Sequence, residues 1–135
     1  MPRALRRAVP VAAGLVVLAC VLAAAASRAQ NAPADLTDVV MVPREGAVEV
    51  WVRLSRPVAP TTAVFDRPWR LVLDFEATRY RWTGGPLTVS QEPLRAIRGS
   101  QFRRDVARVV VELTTKADYT INQDREGLRI VFPAR

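Results

Sequence analysis

A chain of 135 residues with no histidine and one cysteine is poorly equipped for catalysis, because the usual general base, the usual zinc ligand and the Ser-His-Asp arrangement all require histidine. Its 20 Lys and Arg against 13 Asp and Glu give a formal charge of +7, a balance that at first suggests nucleic acid. Much of that excess sits in the first 28 residues, so its meaning depends on what that segment is.

Arg3, Arg6 and Arg7 form a basic start, residues 9–26 an apolar stretch, and Ser27-Arg28-Ala29 places small residues where a signal peptidase cuts. This pattern predicts a secretory signal peptide over residues 1–29, with cleavage between Ala29 and Gln30. An uncleaved membrane anchor is the alternative, since about 18 apolar residues just span a bilayer. Val17-Leu18-Ala19-Cys20 is similar to a lipoprotein box, but the run after Cys20 stays apolar where a lipoprotein turns polar. A membrane therefore enters only if this segment is retained or Cys20 is lipidated. Cleavage removes Arg3, Arg6, Arg7 and Arg28 and takes the net charge from +7 to +3. It also removes the one thiol, which leaves neither disulfide nor thiolate metal site. The periplasm is the expected compartment, and export takes the chain away from nucleic acid. Lys116 is the only lysine; a GC-rich coding sequence accounts for that bias. Whatever the cause, guanidinium groups hold carboxylates bidentately where ammonium acts as a point charge.

Residues 30–35 are expected to be a flexible lead. The remainder predicts strand after strand. Residues 36–42 form a first strand, stopped by Pro43 and turned by Glu45-Gly46. Residues 47–54 alternate cleanly, with Val48, Val50, Val52 and Leu54 on one face and Glu49, Trp51 and Arg53 on the other. Pro57 and Pro60 break the chain before residues 62–65. Residues 69–76 alternate again, with Leu71, Leu73 and Phe75 inward and Arg70, Val72, Asp74 and Glu76 outward. After the turn at Gly84-Gly85-Pro86, segments 87–89, 94–102, 107–113, 119–122 and 128–132 complete about nine short strands. No stretch after the signal has a helical period. One all-β domain over residues 36–133 follows, a two-sheet sandwich or small open barrel. Residues 69–75 and 107–113 also match as a faint internal repeat; alternation alone is the plainer account of the match, and a true repeat would place them equivalently in two sheets.

Three motifs stand in one order behind the signal: Pro68-x-Arg70-Leu71-Val72-Leu73-Asp74, Ile97-Arg98-x-x-Gln101-Phe102 and Arg108-Val109-Val110-x-x-Leu113. With Tyr119 and the closing Leu128-Arg129-Ile130-Val131, they resemble the AMIN domain, the amidase N-terminal module of cell-wall amidases and type IV pilus secretins. The resemblance implies a two-sheet β-sandwich that binds peptidoglycan without catalysis. Family amidases keep their zinc chemistry in a separate domain, and this sequence ends two residues after Pro133. No enzyme activity, cofactor or metal is expected.

On faces expected to be wet stand Trp51, Arg53, Arg70, Arg98 and Arg108, with Arg103 and Arg104 in a turn. These seven are the candidate peptidoglycan-binding residues. Stem-peptide carboxylates suit arginine, and sugar C–H faces suit an aromatic ring, for which Trp51, Trp69, Tyr80 and Trp82 qualify. The plainer interpretation is cross-strand Arg–Glu pairing, with Asp74 beside Arg108 or Arg98, and Trp69 as a core or edge plug. A second functional class is a protein-interaction module that docks on a secretin, an amidase or a division-site component through a strand edge.

Overall fold

Apolar residues at every second position commit a strand to one buried face, and the longer strands of this chain use that device. The computed structural model describes residues 32–134. It contains β1 (Ala34–Arg44), β2 (Ala47–Leu54), β3 (Thr61–Phe65), β4 (Arg70–Glu76), β5 (Thr78–Tyr80), β6 (Leu87–Thr88), β7 (Leu94–Arg103), β8 (Val106–Leu113), β9 (Thr120–Asp124) and β10 (Gly127–Pro133). The expected cleavage site and Cys20 lie outside the described residues. Two five-stranded sheets form a sandwich, with strand orders β5-β1-β2-β10-β9 (sheet A) and β3-β4-β8-β7-β6 (sheet B). All pairings are antiparallel except β1 with β5.

The core follows the alternation. Val48, Val50, Ile130 and Phe132 from sheet A form one cluster with Leu71, Leu73, Phe75, Val109 and Val111 from sheet B, all fully buried. Each such side chain contributes about 1.5–3 kcal/mol by leaving water. Trp82 joins them at 5% exposure, roofed by Gly84 and Gly85, where a Cβ would strike its ring.

The two segments that match as a faint repeat are β4 and β8, which lie side by side in sheet B, so the shared alternation of two neighbouring strands accounts for their likeness. Three expectations are corrected. Pro43 does not stop β1, which runs through it to Arg44. A proline is tolerated on an edge because no ladder donor is needed on its open side. β1 also starts earlier, at Ala34, where it pairs with β5; β5 itself has three residues, too few for alternation to reveal. Finally, Val72 and Val110 do face outward as a directly opposed pair, yet they are only 6% and 8% exposed. Long arginine stems around them can shed water from this face while their heads stay wet.

Gln101 bolts β5 to β7. Its side-chain oxygen accepts the Tyr80 backbone N–H at 2.8 Å, and its amide donates to the carbonyls of Thr78 (3.2 Å) and Arg103 (2.8 Å). Beside it Gly99 lets the Tyr80 ring lie flat, since a Cβ there would come within 2.5 Å of Tyr80 Cε2.

Candidate functional site

The seven candidate residues divide between the two outer faces of the sandwich. Trp51 and Arg53 stand on sheet A; Arg70, Arg98 and Arg108 stand on sheet B, with Arg103 at the end of β7 and Arg104 in the turn that follows. The fold does not gather them into one site.

On sheet A, Trp51 lies between Val40 of β1 and Arg129 of β10 in cross-strand register. Its indole N–H donates to Glu49 Oε2 at 2.7 Å, which fixes the ring plane. The Arg129 guanidinium sits 4.2 Å from the ring centroid and that of Arg44 5.7 Å away. Arg44 also reaches Glu49 at 3.4 Å. The Glu49 carboxyl is held below the usual carboxylate range, first by the Trp51 hydrogen bond and then by Arg44 and Arg129. Arg53 is exposed at the end of the same strand and, with Trp51, Asp124 and Arg129, lines a shallow surface depression. The result is a half-buried indole flanked by the Arg44 and Arg129 guanidinium groups and the Glu49 carboxylate, with Arg53 lining the adjoining depression.

On sheet B the arginines are largely engaged within the fold. Arg108 holds Asp74 through two hydrogen bonds, 2.7 and 2.9 Å, as the strand phase anticipates. Its guanidinium also lies 3.3 Å from the Phe102 ring centroid. Arg70 donates to the carbonyls of Asp66 (3.3 Å) and Pro68 (3.0 Å) and packs 5.0 Å from the Phe65 centroid, so it braces the β3–β4 turn. Arg98 approaches Glu112 at 3.5 Å. Arg103 lies 5.2 Å from Phe102, and Arg104 is exposed. Arg98, Ser100, Phe102 and Arg108 line a shallow groove of about 330 Å³.

Of the other aromatic candidates, Trp82 is buried and unavailable as a platform. Trp69 is half-buried against the core, as expected of a plug. Tyr80 packs over Gly99 and edge-on to Trp82, and burial raises its phenol above the ordinary value. Sequence reasoning missed Arg44, Glu49 and Arg129 around Trp51, and Phe102 beside Arg108. The alternation of β2 and β10 puts Glu49, Trp51 and Arg129 on wet faces, but only strand order makes β2 and β10 neighbours.

The family model of the AMIN domain matches residues 38–132, from the β1 bulge to the penultimate residue of β10. The chain belongs to the AMIN domain family. None of the curated proteins compared with it matches. AMIN domains are non-catalytic periplasmic modules found in amidases and secretins. In this AMIN domain the three motifs have separate physical duties. The first supplies Arg70 and Asp74 of β4, the second supplies Gln101 and Phe102 of β7, and the third supplies Arg108 of β8. They meet around the Asp74–Arg108–Phe102 cluster of sheet B.

Proposed function

We propose that this chain is a non-catalytic peptidoglycan-binding module, exported through residues 1–29 and working in the periplasm on a domain spanning 36–133. The observation that carries the proposal is the Trp51 patch. Sugar C–H faces dock on indole, and Arg44 and Arg129 beside the ring, with Arg53 lining the adjoining depression, are donors suited to stem-peptide carboxylates. The half-exposed Arg129, which also pairs with Asp124 at 3.6 Å, can turn from the ring toward a ligand carboxylate at the loss of a cation–π contact worth about 0.5–1 kcal/mol.

Co-sedimentation with purified sacculi tests this. Binding is expected at low salt and falls as salt rises, because exposed pairs are screened over about 8 Å at physiological ionic strength. Trp51→Ala and Arg53→Gln each lower the bound fraction. Absence of sacculus binding by the wild-type protein at low salt would overturn the proposal. A second reading, docking on an envelope protein such as a secretin, amidase or division component, is favoured by β3. All five of its residues are exposed along one edge of sheet B, and such edges accept added strands.

A further inference from the structure

We infer that two copies of this chain associate through the open edge of β1, with Met41 on the two-fold axis. β1 has eleven residues, yet β5 covers only Ala34, Asp35 and Leu36 on its outer side. Among the described residues no backbone hydrogen bond reaches that side beyond the Leu36 carbonyl, which accepts Arg81 N–H. Which groups the edge offers follows from the ladder. Leu54 N–H donates to Glu126, away from β1, so alternate residues Arg53, Trp51 and Glu49 face β1, paired with Asp38, Val40 and Val42. The groups pointing to the open side are therefore the N–H and C=O of Val39 and Met41 and the C=O of Pro43. A groove of about 430 Å³ runs beside them, between residues 38–41 and Trp82, Leu87 and Val89, giving a further strand room to enter.

The edge is complementary to itself. Antiparallel pairing about Met41 sets Asp38 opposite Arg44 of the second copy, and Val40 opposite its Val42, on the outer face. On the inner face Val39 meets Pro43 and Met41 meets Met41. Both charges are available. Asp38 is half-buried, and its carboxylate makes no ion pair or hydrogen bond with any described residue. Arg44 has a 51% exposed side chain, held only by a loose 3.4 Å contact to Glu49 and a 5.7 Å approach to the Trp51 ring. Pro43 withholds one donor from each end of the ladder but still offers its carbonyl. The fully exposed β3 edge has no such selectivity: pairing it about Ala63 sets Phe65 against Thr61 with no charge on either side. The β1 pairing joins two A sheets into one of ten strands, an isologous contact of the commonest symmetry. Three strand spacings, about 14 Å, would separate the two β2 strands, so both Trp51 patches lie on one continuous surface.

One strand edge buries less than the roughly 1,600 Å² of a standard interface, so the dimer is expected to dissociate on dilution. Sedimentation velocity of the purified protein over a concentration series should show a monomer–dimer equilibrium. Asp38→Arg or Arg44→Asp alone sets like charges opposite each other twice per dimer and should weaken association at least about tenfold. The double variant Asp38→Arg/Arg44→Asp restores the pairs and should restore association. Met41→Cys, in a Cys20→Ser background, should cross-link under mild oxidation, since paired Cα atoms about 5.5 Å apart suit a disulfide. A monomer at every concentration would overturn the inference. So would a dimer that ignores both single reversals, or one abolished by Ala63→Lys on β3 but not by Asp38→Arg.

Discussion

Asp74 and Arg108 face each other directly across β4 and β8, and the guanidinium holds both carboxylate oxygens, at 2.7 and 2.9 Å. Both side chains are only about a quarter exposed, 25% and 28%, so this is not an ordinary surface pair. Phe102 lies against the guanidinium plane and shields it further. The arginine that the sequence nominates for a ligand is thus already committed to the fold.

Arg108→Gln should therefore lower stability by about 1–2 kcal/mol, above the usual surface-pair range. In thermal unfolding that is a fall in Tm of roughly 4–8 °C for each kcal/mol in a domain of this size. Arg53→Gln on the other sheet should leave Tm within about 2 °C of wild type.

Gln101→Leu removes three hydrogen bonds and leaves the Tyr80 N–H without its acceptor. A cost of about 2–3 kcal/mol is expected in urea unfolding. Amide exchange at Tyr80 should accelerate more than exchange at Val50, because β5 is the element that Gln101 secures.

Gly127 has φ of 144°, and a Cβ there would collide with the Val52 carbonyl of the neighbouring strand. Backbone in the middle of a ladder cannot step aside as a side-chain tip can. Gly127→Ala should cost about 3 kcal/mol or more, read as a drop in the denaturant midpoint. Gly46→Ala is also strained by its φ of 74° but has open space around it, so it should cost about 1 kcal/mol.

Glu49 titrates below the usual carboxylate range because Trp51, Arg44 and Arg129 favour its charged form. A depressed folded pKa adds stability above the unfolded value and loses it as pH falls through the folded one. An NMR titration should show this depression in the wild type. Trp51→Phe removes the leading cause and should move Glu49 back up toward the ordinary value. An unchanged titration would mean that the indole N–H does not bind the carboxylate.

Fold class was legible because alternation is a local signal. Val48, Val50, Val52 and Leu54 show their shared face within one strand, and a slip of one residue would bury Glu49, Trp51 and Arg53 instead. Strand phase alone also placed Asp74 outward, beside an arginine. β5 was not legible, since three residues cannot establish a period and its partner lies 44 positions away, as in the Asp35–Arg79 pair. Nor was the strand status of Pro43, which depends on β5 stopping short and leaving that edge open.

The sequence by itself determined which face of each longer strand turns inward, because that choice rests on side-chain polarity at a two-residue period. Only the tertiary structure decided which wet residues share a face. Trp51, Arg44 and Arg129 come from three strands made adjacent by the order β1-β2-β10, and strand order is set by how two whole sheets bury their apolar sides. The same order separates Arg53 from Arg108 by the thickness of the sandwich, although alternation placed both in water.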